Sequence, residues 1–255
     1  MEHKEYRKLH AEWYEYLSAA SPDLSLEIDF WVRCVQAAGQ PVLELGSGTG
    51  KILVPLLEKG IDITGIDTSD DMMARCRDLC QAKGLKPQLS EQSMVDFCLP
   101  RQFSLAILPS GSLGLFTADK DIGSMFGRVL AHLKPGGTFI YGFEQVPEKP
   151  DKNNNNWTGN WARGPGDVVI AWRRHWRYDE ASHVWECLFI VERFVGGRLV
   201  ETEANERTGR FFSLEEAVEY ATAAGFAEIR TTDRLTEEPP RRNSASVIVR
   251  CRKPA

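Results

Sequence analysis

The chain has 255 residues, of which 42% are hydrophobic and 26% charged, close to average soluble usage, which disfavours collagen, extended disorder and a disulfide miniprotein. At about 150 residues per domain, this length predicts one domain carrying an insertion. A formal net charge of −5 argues against a nucleic-acid partner, and the most apolar stretch, Phe103 to Phe116, is broken by Pro109, Ser110, Gly111, Ser112 and Gly114 and is too short to cross a membrane.

Helix and strand patterns alternate to about residue 144, as expected of an α/β domain with a parallel sheet. Tyr6 to Leu17 and Leu26 to Ala38 read as amphipathic helices. Pro41 to Leu45 reads as a short buried strand running into Gly46-Ser47-Gly48-Thr49-Gly50. Ile52, Leu53, Leu56 and Leu57 then mark a helix that Gly60 ends. A second strand, Asp62 to Ile66, ends at Asp67, and Ser69 can cap the helix carrying Met72, Met73 and Leu79. The third strand, near Pro87 to Ser93, is weakly written. The fourth, Phe103 to Leu108, is clear and leads into the Gly/Ser-rich loop Pro109 to Gly114. Asp119 to Leu133 reads as a helix, and the turn Lys134-Pro135-Gly136-Gly137 feeds a fifth strand, Thr138 to Phe143.

From Gln145 to Gly166 the composition shifts to Pro, Asn, Gly and Lys, including Asn153 to Asn156 in a row, and predicts a flexible loop. Val168 to Tyr178, His183 to Phe194 and Arg198 to Arg207 then read as antiparallel strands, with Gly196-Gly197 as a hairpin turn. Ser213-Leu214-Glu215-Glu216 is a capping box opening a helix that stops at Gly225, and strands at Phe226 to Thr232 and Ser246 to Cys251 finish the main sheet. The six cysteines form no CxxC pair and have no histidine at ligand spacing, so no metal site is expected. Reduced thiols, and an N-terminus without an apolar run, suit a cytoplasmic protein with no signal or anchor.

A strand ending in glycines and opening a helix lets a ligand approach the backbone closely. The dinucleotide pattern G-x-G-x-x-G is incomplete, because Lys51 stands where the third glycine belongs. Glu44, two residues before Gly46, would repel a pyrophosphate but suits an ammonium or sulfonium, and Asp67 can accept two ribose hydroxyls. The ligand expected is a cationic nucleoside.

At this point the chain resembles the class I S-adenosylmethionine-dependent methyltransferases. The resemblance rests on Val42-Leu43-Glu44-Leu45-Gly46-Ser47-Gly48-Thr49-Gly50, on Gly65-Ile66-Asp67-Thr68-Ser69 followed by Met72, and on Leu133-Lys134-Pro135-Gly136-Gly137. It implies a Rossmann-like fold with a mostly parallel seven-stranded sheet, helices on both faces, an antiparallel β insertion and an N-terminal helical lid. The lid would be residues 1–40, the cofactor-binding core 41–144 and 211–255, and the insertion 145–210. The cofactor would be S-adenosyl-L-methionine, leaving as S-adenosyl-L-homocysteine. Carried over residue by residue, the resemblance has Glu44, Gly46, Ser47, Gly48 and Gly50 wrap the methionyl and ribose parts, Asp67 with Thr68 meet the ribose, and Met72 pack on adenine. Where relatives place an aspartate after the third strand, Ser93 stands here, followed by Met94, with Asp96 three positions on. Any of the three could meet adenine, and Met72 could equally be a core residue. Leu108, Pro109 and Ser110 would border the reacting methyl, since open α/β sheets bind ligands at strand ends.

Candidates for handling an acceptor's proton are Glu144 at the end of the fifth strand, Tyr14 in the lid and His175 in the insertion. Each has a plain alternative, as a solvated loop acid, as lid packing beside Tyr16, or as part of a solvated basic face shared with Arg173 and Arg177. Tryptophans 157, 161, 172, 176 and 185 could line an acceptor pocket or a homodimer contact. The reading is therefore methyl transfer to a small-molecule acceptor, nitrogen ahead of oxygen. Its alternatives are a non-catalytic S-adenosylmethionine-binding sensor or partner subunit, and an enzyme acting on RNA or protein.

Overall fold

The computed structural model of the protein describes residues 7–148 and 155–255. Eleven strands, six α-helices and one 3₁₀ helix, Ser112–Leu115, are built from them. A seven-stranded sheet has the order β10-β11-β5-β4-β1-β2-β3, and a four-stranded sheet the order β6-β7-β8-β9. In the first, β1 (Val42–Leu45), β2 (Ile63–Asp67), β3 (Gln88–Glu91), β4 (Phe103–Leu108) and β5 (Leu133–Glu144) run parallel, and β11 (Ser246–Arg252) inserts antiparallel between β5 and β10 (Ala227–Asp233). The order reverses at β1, where neighbouring strands depart to opposite sides, and that crevice is where α/β sheets receive ligands.

The central strands are apolar throughout because both faces are covered. Leu43, Leu45, Phe139, Tyr141 and Phe143 pack on the side of α5 (Asp119–His132) and α6 (Leu214–Ala223). Val42, Ile63, Leu105 and Ile107 pack on the side of α2 (Leu24–Ala38), α3 (Leu53–Glu58) and α4 (Asp70–Ala82). Expected caps are present: the Met72 amide donates to Ser69 Oγ at 3.2 Å, and Ser213 and Glu216 close a capping box. Cys76 and Cys80 are fully buried on α4, one turn apart.

The insertion differs from its sequence expectation at its start. Residues 145–166 read as loop, yet Trp157–Arg163 is strand β6, paired antiparallel with β7 (Val168–Asp179) over seven residue pairs. Asparagine and glycine mask a two-residue alternation that β7 supplies with partners; Asn153 lies outside the described residues. β8 (Val184–Val195) and β9 (Arg198–Arg210) complete the sheet through the Gly196-Gly197 turn. Strand β5 also starts earlier than expected. Lys134-Pro135-Gly136-Gly137 is absorbed as an irregularity in its pairing with β4, between Leu133 opposite Phe103 and Thr138 opposite Leu105.

The two N-terminal helices go to different places. Phe30 and Trp31 of α2 are fully buried in the main core. Leu9 and Trp13 of α1 (Lys8–Ala19) pack instead on Ile170, Cys187, Phe189 and Val191 of the insertion. Tyr6, the expected start of that helix, lies outside the described residues. Polar contacts fasten α1 further: the Leu9 amide donates to Glu203 at 3.0 Å, His10 Nδ1 lies 2.6 Å from the same carboxylate, and Glu12 pairs with Arg193. Glu15 pairs with Arg75 of α4 at 2.6 Å, so α1 spans from the insertion to the main sheet. No helix among the described residues is long and apolar enough to cross a membrane.

Candidate cofactor and acceptor site

The loop after β1 turns because Gly46, Gly48 and Gly50 all have positive φ, at 66°, 54° and 85°. A Cβ on Gly50 would stand 2.6 Å from both Cys76 Sγ and Val54 Cγ2, so this glycine lets the loop lie on α4. Gly65 of β2 serves the same end from below, since a Cβ there would meet Ser47 Oγ at 2.2 Å. The sequence signal for Gly65 was present in the second motif, but its service to the first loop is visible only in three dimensions.

The loop's amides are largely committed. The Ser47 amide donates to the Ile66 carbonyl at 3.0 Å and the Gly50 amide to the Ser47 carbonyl at 2.9 Å. The Gly48 amide donates to Asp67 Oδ2 at 2.8 Å, and the Ser69 amide to Asp67 Oδ1 at 2.8 Å. An anion-binding loop keeps such donors for its ligand, whereas this one spends them on a carboxylate. Asp67 keeps further lone pairs for hydroxyl donors. Burial raises its carboxyl above the ordinary value, with the amides of Ser69, Gly48 and Thr68 opposing. Thr68 itself is exposed.

Glu44 points to the α2 side of the sheet and is 1% exposed. Burial raises its carboxyl well above the ordinary value; Ser47 bonds to it and opposes the shift, while the charges of Asp67 and Glu27 add to it. Glu44 Oε2 has no hydrogen-bond partner among the described residues. Glu27 of α2 is also buried and pairs with Lys51 at 2.6 Å, which explains why a lysine suits the position of a third dinucleotide glycine. Sequence reading missed Glu27, because a glutamate on an amphipathic helix carries no local signal of burial. Two buried carboxylates share one lysine, and a bound cation would relieve the unpaired oxygen. The donor set therefore fits the ammonium and ribose of S-adenosylmethionine.

Met72 is buried on α4, with Cε 3.3 Å from where a Gly48 Cβ would stand. Met94, half-buried after β3, reaches within 3.9 Å of the corresponding point on Gly46. Strand β3 stops at Glu91, opposite Asp67, two residues before the expected end. Ser93 and Met94 thus lie in the turn beyond it, where Ser93 Oγ accepts from the Val95 amide at 3.4 Å. Asp96 is exposed.

On the other side of β1, Leu108 and Pro109 are buried at the end of β4 and Ser110 has φ 61°. A left-handed non-glycine residue marks local strain, followed here by Gly111 at φ 69°. Tyr14 of α1 hydrogen-bonds with Ser110 and feels the charges of Glu27 and Glu44; its phenol is raised above the ordinary value chiefly by burial. Glu144 sits across this turn, its Cγ 3.6 Å from where a Gly111 Cβ would stand. Its side chain is exposed, yet the protein packed round it raises its carboxyl, against the charges of Arg174 and Arg234. The structure thus gathers Tyr14, Glu44, Asp67, Ser110 and Glu144 around the ends of β1, β2, β4 and β5. It does not bring His175 to them. His175 lies on the face of β7 away from α1, its ring 5.4 Å from Trp157 and its Nε2 3.1 Å from the Asn155 carbonyl. Among the described residues no group of three or more metal-ligating side chains is placed to hold an ion.

Comparison with known proteins agrees with this geometry. Residues 42–137 match the family described as a methyltransferase domain. The chain is 25% identical over 253 residues to YqeM of Bacillus subtilis (strain 168), with 95% of each chain covered. Its fold is similar to that of an S-adenosylmethionine-dependent methyltransferase from Clostridium acetobutylicum ATCC 824, with a TM-score of 0.80, 19% identity and coverage of 96% of this chain and 98% of that one. It is also similar to the sugar N-methyltransferase KedS8 from Streptoalloteichus sp ATCC 53650, with a TM-score of 0.76, 16% identity and coverage of 95% and 93%. A glycine loop fastened to an acid, a buried acid in need of a cation and the family match over residues 42–137 together identify a methyltransferase domain in this chain, similar to those of the class I S-adenosylmethionine-dependent methyltransferases.

Proposed function

We propose that the protein methylates a nitrogen of a small polar amine. The observation that carries this reading is Glu144. An exposed carboxylate with a raised pKa stands at the C-terminal end of β5, across from the strained Ser110-Gly111 turn that Tyr14 contacts. A carboxylate there can orient an amine and take its proton. An oxygen acceptor with a low pKa would have less use for it. The similarity in fold to KedS8, a sugar N-methyltransferase, supports the same acceptor class.

When bound, S-adenosylmethionine supplies an electrophilic methyl on a sulfonium. Asp67 would hold the ribose hydroxyls, Glu44 the ammonium, and Gly46, Ser47, Gly48 and Gly50 the close backbone path between them. Met72, with Ser93 and Met94, would flank adenine, and Thr68 would border the ribose. Leu108, Pro109 and Ser110 would line the approach of the acceptor. Tyr14 would close the site over Ser110, making α1 the lid and excluding water, while the insertion covers the acceptor. Alignment of a neutral amine is the main contribution to rate, with Glu144 receiving the proton that the methylated amine sheds. His175 is left to the outer face of the insertion. That face also exposes Trp157 and Trp161, at 51% and 58%, and a homodimer contact there belongs to the same proposal.

The test is release of S-adenosylhomocysteine with a panel of amino sugars and small amines beside catechols, RNA and unfolded protein. Turnover of amines alone supports the reading. Turnover confined to RNA or protein overturns it, and cofactor binding without turnover on any acceptor would favour a sensor or partner subunit.

A further inference from the structure

Strand β7 divides its side chains between two faces. Arg173 and Arg177 lie on the outer one and are neutralised there by Glu192 at 3.5 Å and Glu186 at 2.6 Å. Ile170, Trp172, Arg174 and Trp176 lie on the inner one, which α1 partly covers through Trp13. Arg174 stands between two tryptophans of its own strand, its guanidinium carbon 5.9 Å from the Trp172 ring centroid and 5.8 Å from that of Trp176. Among the described residues it forms no ion pair at contact distance, and it remains exposed. Arg193, on the same inner face, is instead taken by Glu12.

A guanidinium braced between aromatic faces keeps its fork of N–H donors in a fixed orientation and is weakly hydrated. Such a group is prepared for a phosphate or carboxylate. The direction it serves follows from Glu144: the Phe212 amide donates to the Glu144 carbonyl at 3.2 Å, the neighbouring Phe211 ring lies 5.9 Å from that of Trp176, and the Glu144 carboxyl feels the charge of Arg174. Arg234, the second cation acting on Glu144, is held loosely by Asp23 at 3.8 Å. The Glu144 side chain in turn lies 3.6 Å from where a Gly111 Cβ would stand, so the cation neighbours the candidate base at the Ser110-Gly111 turn.

We infer that Arg174 binds an acidic group of the acceptor, so that the substrate is an amine that also carries a phosphate or a carboxylate. The acid would lie on Arg174 and the nitrogen toward Glu144 and the cofactor. This selects substrates as well as orienting them, since a neutral amine of the same shape leaves the braced guanidinium without its partner. The inference rests on the proposed amine methylation and deepens it.

The test compares glucosamine with glucosamine 1-phosphate and with glucosaminic acid as methyl acceptors, in the wild type and in Arg174→Gln, Arg174→Lys and Arg177→Gln. Expected is a KM about 10- to 100-fold lower for one acidic amine than for glucosamine. The phosphate and carboxylate arms tell which acid is meant. In Arg174→Gln the preference should fall to near one through KM with a smaller change in kcat, Arg174→Lys should keep part of it, and Arg177→Gln all of it. Equal KM values in the wild type, or a preference that survives Arg174→Gln or disappears in Arg177→Gln, would overturn the inference while leaving amine methylation standing. If no amine is methylated, the proposed function fails. Titration of the S-adenosylhomocysteine complex with glucose 1-phosphate against glucose, in the wild type and Arg174→Gln, then still decides on Arg174: phosphate-dependent binding lost in the variant upholds it, and no such dependence refutes it. Undiminished S-adenosylhomocysteine affinity in each variant confirms that the fold is intact.

Discussion

Gly48 and Asp67 are joined by a 2.8 Å hydrogen bond in which the amide of the glycine loop donates to the carboxylate ending β2. One side chain thus fixes the loop and keeps lone pairs for the ribose contact proposed above. Asp67→Ala should therefore weaken S-adenosylhomocysteine binding by about 1.5 to 3 kcal/mol, one to two decades in Kd, by isothermal titration. Asp67→Asn keeps the Gly48 contact through its amide oxygen but loses charge, and should fall between. Unchanged affinity in both would remove Asp67 from the site.

Neighbouring glycines of the loop should fail in different ways. Gly50→Ala forces a Cβ to within 2.6 Å of Cys76 and Val54 at a φ of 85°, so its loss should be in thermal stability, by about 1 to 3 kcal/mol. Gly48→Ala carries a comparable strain, at a φ of 54°, but meets only the flexible end of Met72 at 3.3 Å. It should melt nearer the wild type while losing cofactor affinity. Calorimetry and titration on both variants separate the two, and the reverse pattern would mean that the ligand approaches the loop at Gly50.

Much of this was legible in the chain because local chemistry and fold agree there. Ser69 caps α4, Ser213 and Glu216 box α6, and Gly196-Gly197 turns β8 into β9, each as the residues predict. Three motifs in order put Gly48 and Asp67 at or after the ends of successive strands, and the structure adds the hydrogen bond between them. What was not legible depends on partners far away in sequence. β6 exists because β7 pairs with it, and Glu27 belongs to the site only because α2 packs where Lys51 can meet it. Tyr14 and His175 looked alike as candidates. The side of β7 on which α1 docks separates them, and alternation alone did not reveal which side that was.

Glu44→Gln should trade affinity for stability. Its Oε2, buried and without a hydrogen-bond partner among the described residues, is a cost to the free protein, so replacing the acid by its amide should leave the melting temperature unchanged or higher. Affinity for S-adenosylhomocysteine should drop by about one to two decades. 5′-Methylthioadenosine, which lacks the ammonium, should bind both proteins alike. Equal losses for both ligands would place Glu44 away from the amino-acid end.

Glu144→Gln tests the proton's destination. Because its carboxyl is raised, it loses its charge at a higher pH than an ordinary glutamate, and its contribution with an amine should be lost as pH falls through that raised value. The variant should lower kcat by about 100-fold or more and lose the Glu144 component of that acidic limb, keeping only the fall caused by protonation of the amine itself. A pH profile of the same shape in the variant would leave alignment alone as the source of rate.

The docking of α1 should itself depend on pH through His10. Burial, helped by the charge of Arg207 and opposed by Glu203, lowers His10 from 6.5 to about 4 in the fold. It is fully buried and neutral at pH 7. A depressed folded value means that the unfolded chain takes up the proton first, so the stabilisation is whole above 6.5 and is lost as pH falls toward 4. Between pH 8 and pH 5 the loss should be about 2 kcal/mol. Hydrogen exchange should show the amides of Leu9 to Trp13 losing protection over this range, ahead of the β1–β4 core, because the apolar side of α1 packs into the cluster of the insertion and not into that core. His10→Gln should flatten the dependence. If the α1 amides of the variant and the wild type lose protection in parallel, the helix is released by the carboxylates that pair it, Glu12 with Arg193 and Glu15 with Arg75, and not by His10.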